Sequence, residues 1–527
     1  MPGQDDATGL AAAYAFEGPA LELGAVVVDG TPYPEAAVRV PLSMLNRHGL
    51  VAGATGTGKT KTLQLMAEQL SAAGVPAFLA DIKGDLSGVG AAGTDSERVQ
   101  QRARETATAW APAGSPVELY ALGGIGTGVP VRATITSFGP VLLSKVLDLN
   151  PTQESSLGLV FHFADQAGLP LLDLKDLRAV ITHLTSDEGK AELKKLGGLS
   201  TATAGVILRA LIALENDGGD VFFGEPELDT SDLLRVAPDG RGVLSVMALS
   251  AVQDKPKLFS TFLMWLLADL FHDLPEVGDV DKPKLVFFLD EAHLLFDDAS
   301  EAFLDAVART VRLVRSKGVG VFFVTQTPKD VPGEVLAQLG NRVQHALRAF
   351  TPEDAKALKA TVGTFPKSEV YDLSSLLTSM GIGEAAVTIL SERGTPTPVA
   401  WTILRPPVSR MGPLEPAEQE AIVSASPLLA EYGAAVDRDS AYERLLAKVA
   451  PEPEPEPEQA REPEQAPRER EPAPRAEADD GGVVADVLGS SVFKSFARSA
   501  ASAAGREISR SIFGTAPRRR RSSRSRR

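Results

Sequence analysis

The chain has 527 residues, of which 44% are hydrophobic and 23% charged, with a formal net charge of −16 and no cysteine. That length holds more than one domain, and the missing cysteine excludes disulfide frameworks, thiolate metal sites and cysteine nucleophiles. Seven of the last ten residues, Arg518 to Arg527, are arginine, so the remainder is more acidic than the total; such a body argues against a broad duplex-binding surface but not against a locally basic pore.

The first residues carry Asp5 and Asp6 and no cationic segment, and no run reaches the ~20 apolar residues of a membrane span, so a cytoplasmic protein is expected. His48, His162, His183, His272, His293 and His345 form no ligand-spaced pair, so a structural transition metal is not expected. Residues 1–40 read as a short β segment, with strand-like stretches at Ala25 to Val28 and Ala37 to Val40. From residue 41 to 137 the pattern is α/β. Gly49 to Ala52 is a strand, Leu63, Met66, Ala67 and Leu70 recur at helical spacing, Gly74 stops the helix, and Val75 to Ala80 is a second strand ending at Asp81. Gly123 to Gly128 reads as a flexible hairpin. Residues 138–240 turn helical and read as an insertion into that core.

Residues 241–410 return to the sheet. Gly242 to Leu249, Lys284 to Leu289 and Val319 to Thr325 are continuous apolar runs, the character of parallel strands covered on both faces. Phe259 to Phe271 reads as a buried core helix. Val343 to Phe350 and Ala385 to Leu390 supply further strands, and Thr351-Pro352 opens a helix with Thr as N-cap. A helical extension follows at 411–450. The Pro/Glu-rich segment 451–482 cannot form a packed core and reads as a disordered linker. It leads to a helix at 483–514, where Val484, Leu488, Val492, Phe496, Ala500, Ala504, Ile508 and Ile512 make an apolar stripe able to dock a protein partner, lie on a membrane surface or fold back on the core. A basic disordered tail, 515–527, closes the chain.

Between the first strand and first helix of the core, Gly53-Ala54-Thr55-Gly56-Thr57-Gly58-Lys59-Thr60 fits the phosphate-binding loop G-x-x-x-x-G-K-[ST] at every fixed position. Glycines let successive backbone N–H groups converge on phosphate oxygens at a helix N-terminus, Lys59 reaches the β and γ phosphates, and the Thr60 hydroxyl ligates Mg²⁺. ATP and Mg²⁺ are the expected ligands. The loop calls for a carboxylate site on a neighbouring strand, and Leu285 to Leu289 delivers Asp290 and Glu291. Asp290 would hold the Mg²⁺ shell, while Glu291 would orient and deprotonate the attacking water. Gln326, at the tip of the strand Val319 to Thr325, is the candidate γ-phosphate sensor. Arg309, Arg312 and Arg315 share a helical face that, in a ring of subunits, offers an arginine finger to a neighbour; Arg342 is a second candidate.

Asp290-Glu291-Ala292-His293 also spells the DEAH box of superfamily 2 helicases. No arginine-rich Q-x-x-G-R-x-x-R motif follows it, so that assignment is set aside. Together, the loop Asn46 to Thr60, the strand end Asp81 to Leu86, Phe288 to His293 and Val324 to Pro328 resemble the HerA/FtsK superfamily of P-loop ATPases, and within it the bacterial HerA-like proteins of the YjgR type. The likeness covers residues 41 to 410 and a helix near Ser495 to Gly514. It implies a RecA-like core with a largely parallel sheet, hexameric rings and ATP hydrolysis at subunit interfaces, and it puts Arg315 at the superfamily's finger position. The chain departs from HerA in having too little sequence before residue 41 for a full β-barrel. A DNA-translocating or helicase-like ring motor is the leading expectation; a protein-remodelling switch ATPase and a nucleotide-dependent assembly scaffold are the alternatives.

Overall fold

The computed structural model describes residues 2–193, 197–278, 280–297 and 301–449; the expected linker, terminal helix and basic tail lie outside them. Twelve strands form one sheet: β1 (Ala20–Val28), β2 (Thr31–Pro41), β3 (Gly49–Ala52), β4 (Ala77–Asp81), β5 (Val117–Leu122), β6 (Val129–Val131), β7 (Leu244–Ala248), β8 (Leu285–Leu289), β9 (Val319–Thr325), β10 (Asn341–Gln344), β11 (Glu384–Thr388) and β12 (Ala400–Leu404). Their order is β2-β1-β12-β11-β10-β3-β9-β8-β4-β7-β5-β6. From β10 to β6 every neighbour is parallel. The wing from β10 through β11, β12 and β1 to β2 is antiparallel.

The continuous apolar runs are explained by burial on both faces. Along β8, Leu285, Phe287 and Leu289 enter one core and Val286 and Phe288 the other; β9 likewise sends Val319, Val321 and Phe323 one way and Phe322 and Val324 the other. A strand's two-residue period would show as polar alternation only if one face met water. The first core also takes the helices Pro256–Asp273 and Glu301–Val314 and the inserted helices, including Pro151–Gln166, Leu174–Thr185 and Thr201–Leu214. The second takes Leu63, Met66, Ala67 and Leu70 of the helix Lys59–Ala72. The insertion and the phosphate-loop helix therefore lie on opposite sides of the sheet.

The first two strands form a hairpin whose turn, Asp29-Gly30, has positive φ at both residues, the geometry that matches strand twist. Rather than standing apart, that hairpin extends the main sheet through Gly24↔Leu404. The segment Gly123 to Gly128 corrects the expected hairpin: β5 and β6 run parallel, with Tyr120 opposite Val129. Positive φ at Gly123, Gly124 and Gly126 loops the chain back so that it re-enters in the same direction. Gly49 is required by packing, since a Cβ there would come within 2.2 Å of the Phe322 ring on β9.

The extension after residue 410 passes β5 and β6 and ends against the insertion. Its helix Ala441–Val449 is pinned by the buried Asp176, whose Oδ1 accepts from the Tyr442 N–H at 2.9 Å and the Ser440 hydroxyl at 2.5 Å. Among the described residues no helix is long and apolar enough to cross a membrane.

Candidate active site

Parallel strands place their carboxyl ends on one edge of the sheet, where open α/β folds bind ligands. There the chain collects Gly53–Thr60 after β3, Asp81 to Leu86 after β4, Asp290-Glu291 after β8, Gln326 after β9 and His345 after β10. The phosphate loop is held from both sides. Gly53 N–H donates to the Thr325 carbonyl at 3.2 Å, Ala54 N–H to Ala346 at 2.9 Å, and Gly383 N–H to the Thr57 carbonyl at 2.9 Å. Gly53, Gly56 and Gly58 all have positive φ. A Cβ on Gly53 would stand 2.5 Å from His345 Cβ, whereas one on Gly56 would meet nothing within 4 Å, so space over the loop is open. Lys59, buried at the helix start, donates from Nζ to the Gly53 and Ala54 carbonyls at 2.7 and 3.2 Å. Burial lowers its pKa, an effect opposed by the nearby charges of Glu291, Asp290 and Asp330.

One expectation needs correcting. The strand bearing Asp290 and Glu291 is not the immediate neighbour of the phosphate-loop strand, because β9 lies between β3 and β8. Spacing along the chain carries no information about strand order. The acids nevertheless come within electrostatic range of Lys59, because all three strands end at the same edge. The intervening strand is the one that ends at Gln326, which is exposed between the two halves of the site.

Asp290 is buried, and burial pushes its carboxyl up to about 6. Its Oδ1 accepts the Glu291 N–H at 2.9 Å, and its Oδ2 has no hydrogen-bond partner. Glu291 occupies the left-handed region at φ 46°, ψ 47°, a conformation costing a non-glycine residue about 1–3 kcal/mol and concentrated at functional sites. Its Oε1 is ion-paired with Lys83. His293 Nδ1 lies 3.2 Å from Glu291 Oε2 but without hydrogen-bond geometry, so both atoms are left unsatisfied. Two buried carboxylate oxygens without hydrogen-bond partners, at the same sheet edge as an open glycine cradle and Lys59, fit a magnesium-bound triphosphate. Thr60 stands in the first turn of the phosphate-loop helix, where a hydroxyl ligand is needed.

The arginines fall elsewhere. Arg315, exposed, begins a short turn before β9, and β9 then runs seven residues to the site edge. At ~3.3 Å per residue this sets it roughly 20 Å from its own chain's phosphate loop. Arg342 is half-buried, lies opposite Leu50 and donates to the Thr364 carbonyl at 3.4 Å. Neither joins the site within one chain.

Three site residues had gone without a role. Lys83 sits in the Asp81 to Leu86 loop, where the buried Asp81 accepts the N–H groups of Gly84, Asp85 and Leu86. Asp330 frames Gln326 by accepting from the Thr325 and Thr327 hydroxyls at 2.8 Å and the Thr327 N–H at 2.9 Å; its signal is the capping box Thr327-x-x-Asp330. His345 supports the cradle from β10, and nothing local in the sequence marks it.

The profile of the helicase HerA-like C-terminal family matches residues 28–521. No curated protein matches the chain. Solved structures resemble it at low identity. The plasmid coupling protein TrwB in complex with ADP and Mg²⁺ is 16% identical, with 76% of this chain and 98% of that chain covered at a TM-score of 0.50. TrwB with a non-hydrolysable ATP analogue is 16% identical over 78% and 94% at 0.49, and VirB4 of Thermoanaerobacter pseudethanolicus is 16% identical over 76% and 99% at 0.44. The likeness to the ADP-bound TrwB is one of fold, the RecA-like P-loop ATPase architecture.

Proposed function

The chain belongs to the helicase HerA-like C-terminal family, and from that premise we propose that it is a magnesium-dependent ATPase that forms rings and moves along DNA. The observation that carries the hydrolytic part is the pair Asp290-Glu291, buried and with an unpartnered oxygen on each, at the edge where Lys59 closes the phosphate loop. That TrwB holds ADP and Mg²⁺ on the same fold supports the choice of ligands.

In this reading the Gly53–Thr60 amides and Lys59 hold the phosphates, and Thr60 and Asp290 hold the cation. Once bound, that cation neutralises charge on the phosphate oxygens. Glu291 accepts a proton from water as the water oxygen bonds to the terminal phosphorus and the bond to the ADP oxygen breaks. Gln326, steadied by Asp330, orients that water, and Arg315 serves a neighbouring subunit. The strand direction supports the last assignment, because β9 runs parallel to β3 and Arg315 precedes it, at the sheet edge opposite its own cradle.

The test is ATP turnover with and without single- and double-stranded DNA, run beside a mass measurement in solution. DNA-stimulated turnover that falls steeply with salt, from a ring-sized species, supports the motor. Turnover indifferent to DNA would shift the reading to a protein-remodelling ATPase, as the acidic composition would suit. Binding without turnover would leave only a nucleotide-dependent scaffold.

A further inference from the structure

Strands β4 and β8 lie side by side, in register from Ala77↔Val286 to Ala80↔Leu289, and the loops after them bring Lys83 to Glu291. The two form an ion pair in which the Glu291 side chain is 9% exposed and that of Lys83 41%. Burial works most strongly against the lysine's charge, but Glu291, Asp290 and Asp85 together outweigh it, so its pKa stands above the ordinary value. The other cation of the site, Lys59, is engaged with the Gly53 and Ala54 carbonyls.

The pairing through Oε1 also fixes the direction of the carboxylate, leaving Oε2 3.2 Å from His293 Nδ1, so Glu291 must part from Lys83 before it can swing towards an attacking water. The backbone around Lys83 is fixed independently, by the three N–H groups donated to Asp81 and by the left-handed turn at Gly84. The lysine side chain can therefore leave Glu291 without rebuilding its loop.

We propose that Lys83 is a positioning residue that restrains Glu291 in the DNA-free enzyme, holding the carboxylate in an ion pair and keeping unstimulated turnover low. This rests on Glu291 being the base. It assigns the loop after β4 a role in setting the basal rate rather than in binding nucleotide.

The experiment measures DNA-free ATP turnover and nucleotide affinity on the full chain for Lys83→Ala, Lys83→Arg, Glu291→Gln and the double variant Lys83→Ala/Glu291→Gln. Restraint predicts that Lys83→Ala raises kcat about tenfold with KM little changed, that Lys83→Arg keeps the low parental rate, and that the double variant is as inactive as Glu291→Gln. A Lys83→Ala rate equal to or below the parent's, or a raised KM at unchanged kcat, overturns the restraint while leaving the base assignment standing. Parental turnover in Glu291→Gln overturns the base assignment and the restraint with it. Retained binding of a fluorescent ATP analogue by Lys83→Ala excludes misfolding as the cause of a low rate.

Discussion

The imidazole of His345 lies 2.8 Å from the Thr62 hydroxyl through Nε2 and 2.9 Å from the Glu384 carbonyl through Nδ1, joining the first turn of the phosphate-loop helix to β10 and β11. A carbonyl only accepts, so Nδ1 carries the proton and Nε2 accepts from Thr62. Burial lowers the pKa of His345 to about 4, and it does the same to His48, whose Nδ1 accepts the Val321 N–H at 3.1 Å. Both are neutral in the fold.

Stability should therefore depend on pH with a definite sign. An unfolded histidine takes up a proton near pH 6.5, whereas these two resist until about pH 4. Their contribution is complete above pH 6.5 and is lost as pH falls towards 4, by up to about 3 kcal/mol each. Melting temperature should drop between pH 7.5 and 5, and His345→Phe, though less stable at pH 7.5 by about 2–4 kcal/mol, should show a shallower drop. An equally steep profile in the variant would remove His345 as a source.

Replacing Gly53 with alanine should abolish nucleotide binding while leaving the protein folded. The added Cβ would stand 2.5 Å from His345 Cβ and 3.0 Å from Thr57 Oγ1, at a φ of +156° that side chains rarely adopt. The loop must shift, and a shift of about 1 Å misplaces the amides that meet phosphate. Titration with a fluorescent ATP analogue, beside a circular dichroism spectrum, separates loss of binding from loss of fold.

Asp290→Asn should raise thermal stability in metal-free buffer at neutral pH and at the same time remove magnesium-dependent turnover. The buried carboxylate pushed up to about 6 indicates a charge that costs stability when no cation meets it, on the order of 1–3 kcal/mol. Thermal melts with a chelator and turnover with Mg²⁺ read the two effects; a lower melting temperature would mean that the bond from Glu291 N–H outweighs desolvation.

If Arg315 acts on a neighbour, Arg315→Ala and Glu291→Gln should each reduce turnover by at least about 10³ alone and partly restore it when mixed. Mixed rings contain interfaces in which an intact arginine faces an intact acid pair. Absence of recovery at any mixing ratio, with subunit exchange verified by mass, would argue against the trans role.

Much of the core was legible because its signals are local. The phosphate loop is contiguous, β8 and β9 are continuous apolar runs ending in polar residues, and Thr351-Pro352 opens the helix Pro352–Val362 with the capping box to Asp354. What stayed hidden depends on contacts distant in sequence. That β9 separates β3 from β8 follows from strand order, which periodicity does not encode. The pairing of Lys83 with Glu291 spans two strand ends, and His345 meets Thr62 only because β10 lies beside β3. The parallel course of β5 and β6 was obscured by glycines that also suit a hairpin.

The division of the molecule into two apolar layers has a consequence for how the chain tolerates change. The inserted helices rest on one layer and the helix carrying Lys59 on the other, with the sheet as partition. The insertion can accordingly change length or orientation away from the sheet without touching the layer that carries the Lys59 helix, whereas changes in the layer it shares with Ile82 and Ala292 would be felt beside Lys83 and Glu291.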